Sequence, residues 1–180
     1  AASDVYKRQG PSETGQLIAI IILLCLSAFF SSSETALTTV NQIRMRTLAD
    51  NGDKRAARVL HVTGNPGKML SAILIGNNIV NLSASSISTS LAIHLFGNTG
   101  AGIATGILTF LILIFGEVTP KTMATIKADS MSLTAAAPIE FLMKILTPVI
   151  FIINKLSLGL MFLLHVNICL LYTSDAADDL

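Results

Sequence analysis

An all-α integral membrane fold is predicted by three features of the chain: long apolar runs, little charge, and basic residues gathered between and after those runs. The 180 residues are 52% hydrophobic and 13% charged, without tryptophan. Mean hydropathy is +0.68, too apolar for a soluble domain of this length. The modest positive balance belongs to a membrane flank, not to a nucleic-acid surface, so the bilayer is the expected environment and no nucleic acid is expected as a partner.

The two ends are set aside first. Residues 1–9, AASDVYKRQ, and 169–179, CLLYTSDAADD, read as translations of opposite strands of one oligonucleotide and resemble a transposase sequencing adapter. The segments 1–9 and 169–180 are therefore expected to be adapter-derived scars flanking a native part at 10–168. Without Asp4, Lys7, Arg8, Asp175, Asp178 and Asp179 the formal net charge moves from +1 to +3. Cys169 goes with them. Cys25 is left alone in an apolar run, where a small buried hydrophobe is the expected role. No disulfide framework, CxxC pair or zinc spacing exists.

Three membrane spans are expected, at about 17–39, 69–95 and 101–119. At 1.5 Å per residue the first can cross a core of about 30 Å. The second contains no charged residue unless His94 is protonated. The third reaches full length only if Glu117 and its neighbours lie at membrane depth. Between the last two, HLFGNTGAG reads as a tight turn.

The loop from Asn41 to Lys68 carries Arg44, Arg46, Lys54, Arg55, Arg58 and Lys68 against Asp50 and Asp53, a net of +4. Lys121, Lys127, Lys144 and Lys155 follow the third span. Both sets mark the cytoplasmic side, so the N-terminus is expected outside and the C-terminus inside. Residues 41–66 and 121–167 are read as amphipathic juxtamembrane helices. The arginines of the first segment either meet anionic lipid or solvate a helix face. In the second, Pro138, Pro148, Glu140, Lys144 and Lys155 interrupt an apolar stretch, which favours helices lying on the membrane surface over a fourth span.

Each expected span carries polar groups where lipid disfavours them. The first holds SSSE at 31–34, the second Asn77, Asn78 and Asn81, and the third GEVTP at 116–120. Asn77 and Asn81 share one helix face. Pro120 has no N–H, which releases the Gly116 carbonyl four residues earlier. A carboxylate, amide oxygens, a hydroxyl and a free carbonyl form an all-oxygen set suited to a hard cation such as Mg²⁺, Ca²⁺ or Na⁺. Ser and Asn also join helices by hydrogen bonds, and that role is expected for Ser85, Ser86, Ser88, Thr89 and Ser90. Glu34 is left outside the ligand set as a salt-bridge partner for the basic loop.

AFFSSSETAL, LIGNNIVN and FGEVTPKT, in this order and spacing, resemble the transmembrane domain of the CorC/CNNM magnesium transporters over about residues 17–160. The resemblance implies three membrane helices, a belt of juxtamembrane helices on the inner side, and a homodimer in a bacterial inner membrane. It implies Mg²⁺ export, with Na⁺ as coupling ion. Carried over by motif position, the Mg²⁺ ligands are Ser31, Asn77, Asn81, Gly116 through its carbonyl, and Glu117. Relatives continue into paired CBS domains that bind ATP with Mg²⁺. These domains, and with them any ATP site, are missing from this chain. Ser32 stands where many relatives have glycine.

The expected activity is alternating access to the oxygen site, with Glu117 offsetting part of the cation's charge. An intramembrane enzyme using Glu117 as general base lacks a partner group, since His94 and His61 fall outside the expected depth. A second reading keeps cation binding without transport: a membrane anchor or sensor relaying to the missing cytoplasmic domains.

Overall fold

The computed structural model describes residues 13–163, so the expected scars at 1–9 and 169–180 lie outside the described residues, as do 164–167 of the second juxtamembrane segment. Among the described residues every regular element is helical. The first span, α1, runs Glu13–Thr39. Its apolar sequence lacks proline, and Glu13 in the first turn complements the helix dipole. Two short helices follow, α2 at Gln42–Asp50 and α3 at Lys54–Thr63. Their starts are chemically explicit: Asn41 Oδ1 accepts the Arg44 N–H at 3.0 Å and Asp53 Oδ1 accepts the Arg55 N–H at 2.8 Å. Gly52 turns the chain between them at φ 91°, a conformation costly for any residue with a Cβ.

Asn65 caps the next helix by accepting the Lys68 N–H at 3.1 Å, with Pro66 in the first turn. Helix continues from Pro66 to Ile112 but bends at Gly97 (φ 69°, ψ −178°). It therefore resolves into two spans, α4 at Pro66–Gly97 and α5 at Gly102–Ile126. The bend falls inside the expected HLFGNTGAG turn. α5 outruns its expected end at 119. Pro120 sits in the first turn of the helical segment Thr119–Ile126, where its missing N–H is tolerated. Lys121, expected beyond the membrane, thus lies on the span. Three helices, α1, α4 and α5, are long and apolar enough to cross a bilayer.

The remaining helices, α6 (Ala128–Ile145) and α7 (Thr147–Leu163), meet at 66°. Pro138 lies within α6 without ending it. The break comes at Leu146, just before Pro148. α6 packs on α1, α3 and α4, and the best-packed core lies at this end. Leu37, Met45, Val59, Met69, Ile73 and Ile139 meet there, each nearly or fully buried. Elsewhere the large apolar side chains face outward, among them Leu17, Ile21, Ile103, Ile107 and Phe110, as an acyl-chain solvent requires. Cys25 is on that outward surface rather than buried. A position on the outer stripe of α1 is solvated by lipid, so apolar sequence alone does not imply packing.

Three arginines of the basic loop, Arg44, Arg55 and Arg58, turn to carboxylates of this chain. Arg44 pairs with Asp129 at 2.8 Å and Arg58 with Glu140 at 3.0 Å, tying α2 and α3 to α6. Arg55 pairs locally with Asp53 at 3.3 Å. Lys144 also donates to Glu140, at 2.7 Å. This hydrogen bond, with the Lys144 and Arg58 charges and against some desolvation, holds the Glu140 carboxyl below its ordinary 4.5. A carboxyl that ionises more readily when folded contributes stability above its unfolded value, and loses it as pH falls through the folded one. Thermal stability is expected to decline below about pH 4.5, and Glu140→Gln to flatten part of that decline while lowering the Tm at pH 7. An unchanged pH 7 Tm in the variant would show that the clamp contributes nothing.

Candidate cation site

Ser27 and Ser31 lie one turn apart on α1, as Asn77 and Asn81 do on α4. Ser27 Oγ donates to Asn81 Oδ1 at 2.8 Å. Phe30 sits against Gly76, where a Cβ would come within 2.7 Å of the ring. These two contacts show that α1 and α4 run antiparallel. The same register sets Ser31 against Asn77, one turn nearer the α2–α3 end. Gly116 brings α5 to the same seam: a Cβ there would lie 3.1 Å from both Ser27 Oγ and Leu24 Cδ1. Two glycines thus let two backbones approach α1 around the polar residues.

The hydrogen-bond account of this seam does not close. Ser31 Oγ and Asn77 Oδ1 are buried without a hydrogen-bond partner, and Ser31 is wholly buried. Buried polar atoms left without a partner cost about 1–3 kcal/mol each. Ser27 has one hydroxyl proton and two acceptors in reach, Asn81 Oδ1 at 2.8 Å and the Gly116 carbonyl at 3.4 Å. The shorter contact takes the proton. Pro120 has none to offer the Gly116 carbonyl. The seam therefore holds two unpartnered oxygens, Ser31 Oγ and Asn77 Oδ1. Among the described residues no group of three or more His, Cys, Asp and Glu is placed to hold a metal. Among the expected ligands Glu117 alone is a carboxylate, and its contact is with Lys121.

Glu117 follows Gly116 within a π-helical turn, Leu113–Val118, whose register shift is visible in the Thr119 N–H bonding to the Ile114 carbonyl. Such turns often mark functional positions. The Glu117 carboxylate is half-buried. Lys121 Nζ stands 3.5 Å from Glu117 Oε1 and also 3.5 Å from Glu34 Oε2. Glu34 is thus an ion-pair partner as expected, but of α5 rather than of the basic loop.

Of the expected ligands, Ser31 and Asn77 offer orphaned oxygens, while Asn81 and Gly116 are gathered around Ser27. Glu117 is held by Lys121. Asn78 points outward. Ser27 was not anticipated, although its four-residue spacing from Ser31 was a usable signal. Among the described residues, Thr89 on α4 donates to the Ser85 carbonyl of its own helix at 2.9 Å, and Ser88 Oγ is buried without a partner.

Residues 18–170 match the family described as the Cyclin M (CNNM) transmembrane N-terminal domain. The chain belongs to the CNNM transmembrane-domain family. A "UPF0053 protein" of Haemophilus influenzae is 42% identical over 144 residues, covering 80% of this chain and 34% of the relative. The "UPF0053 inner membrane protein YfjD" of Escherichia coli K12 is 37% identical over 145 residues, covering 79% and 33%. A "Polyamine export protein" of the same strain is 29% identical over 157 residues, covering 78% and 35%. The chain spans about a third of the length of these curated relatives. This CNNM domain is a multi-pass membrane domain, and some of its relatives are named as export proteins.

Proposed function

We propose that the parent of this chain exports Mg²⁺ by alternating access through the α1–α4–α5 seam. The observation that carries the reading is the pair of buried, unpartnered oxygens on Ser31 and Asn77, one helical turn from the Ser27–Asn81 contact to which Gly116 comes close. Mg²⁺ gives up water only to several good oxygens at once, and this seam offers them. The α2–α3–α6 end is cytoplasmic, consistent with its basic residues, and α1 begins outside. The setting is a bacterial inner membrane, a downhill Na⁺ flux supplies the driving force, and α6 and α7 form the belt. A homodimer is supported by the face of α4 bearing Asn78, Ser85, Ser86 and Ser90, exposed in the single chain. Polar groups at membrane depth fit a second copy better than acyl chains. CBS domains belong to the portion of the parent beyond this chain.

A second reading has its own support. The Glu34–Glu117 pair already holds a primary ammonium, that of Lys121, and one relative is named for polyamine export. An organic polycation is therefore the competing substrate. Proteoliposomes containing the full-length parent separate the two. Outward Mg²⁺ flux driven by an inward Na⁺ gradient, undiminished by excess spermidine, is the expected result. Spermidine flux without Mg²⁺ flux would overturn it.

A further inference from the structure

We infer that Lys121 is a tethered competitor for the substrate cation, and that Glu34 is the acceptor to which it withdraws. The inference rests on the cation-site reading and adds two residues to it. A lysine on the helical turn after Glu117 reaches the Glu117 carboxylate along its own helix and the Glu34 carboxylate across to α1, at 3.5 Å in each case. Neither contact is short, and all three side chains are between one-third and two-fifths exposed. The ammonium is shared rather than committed. Two carboxylates around one ammonium carry a net negative charge, a divalent cation's natural target. When the cation takes Glu117, Lys121 keeps a partner in Glu34 and is not left as an uncompensated charge. Lys121 in this way makes empty-site Glu117 tolerable in an apolar setting, lowers resting affinity, and favours release once the cation must leave.

The test is Mg²⁺ binding to the purified chain in lipid nanodiscs, with gel filtration and helicity confirming each variant's fold. Lys121→Met is expected to tighten the Mg²⁺ Kd about fivefold, the scale of one partly exposed ion pair. Lys121→Arg, which keeps the charge, should recover most of the wild-type value. Glu34→Gln is expected to weaken binding by a similar factor, because Lys121 then stays on Glu117, and to have no effect in the Lys121→Met background. Unchanged or weaker binding in Lys121→Met would overturn the competitor role. A Glu34→Gln effect that persists without Lys121 would overturn Glu34 as its acceptor. If Mg²⁺ binding instead survives Glu117→Gln, the cation-site reading itself fails. That result is distinct from an inert Lys121.

Discussion

Glu117→Gln is expected to weaken Mg²⁺ binding by at least about a hundredfold, while the chain still inserts and folds. Two unit charges about 4 Å apart near a protein surface interact by about 4 kcal/mol, and every other oxygen among the expected ligands is neutral. The substitution keeps the side-chain volume, so packing around Gly116 survives. Lys121 retains Glu34 as its partner. The measurement is the Mg²⁺-dependent rise in Tm, which reports binding to the folded state alone. In the variant that rise should vanish. A full rise would mean that Glu117 serves only its ion pair with Lys121.

Much of the fold was legible because membrane physics leaves few alternatives. Apolar length marks α1 and α4, while Asn41, Asp53 and Asn65 cap α2, α3 and α4 where the apolar pattern breaks. Gly97 bends the chain where HLFGNTGAG advertised a turn. α5 continues past its expected end at 119 because Pro120 lies in the first turn of a resumed helix, where its missing N–H costs nothing. The π turn before it has no composition signal. It depends on how α5 settles against Ser27 and Leu24, which is a tertiary fact.

The same division runs through the site. Asn77, Asn81, Gly116 and Glu117 stand out as polar residues in apolar sequence. Ser27 does not, because an isolated serine in a membrane helix usually bonds its own backbone. It becomes informative only when the α1–α4 register brings Asn81 to it. Glu34 and Lys121 were visible as charges, but 87 residues separate them, and their meeting depends on α5 crossing α1 at that height. Spacing along one helix is readable. Contact between helices is not.

The orphaned oxygens allow a sharper test than any single ligand deletion, because stability and binding should move in opposite directions. In the double variant Ser31→Ala with Asn77→Leu, a buried hydroxyl and a buried amide oxygen without partners are replaced by apolar groups, the second of similar volume. A structural pair of hydrogen-bonding residues would lose stability on such treatment. Unsatisfied ones should gain it, since each carries a desolvation cost of about 1–3 kcal/mol. Retained frustration of this kind is the signature of a functional position held at the expense of stability. The cation-free Tm of the double variant is therefore expected to rise by several degrees, while the Mg²⁺-dependent rise disappears. Ser27 and Asn81, already paired at 2.8 Å, provide the contrast: Ser27→Ala should lower the cation-free Tm, because it removes the donor that reaches Asn81 Oδ1 from α1. If the Ser31/Asn77 double variant is instead less stable, those oxygens are satisfied in the folded protein, and the case for a cation between α1 and α4 loses its main support.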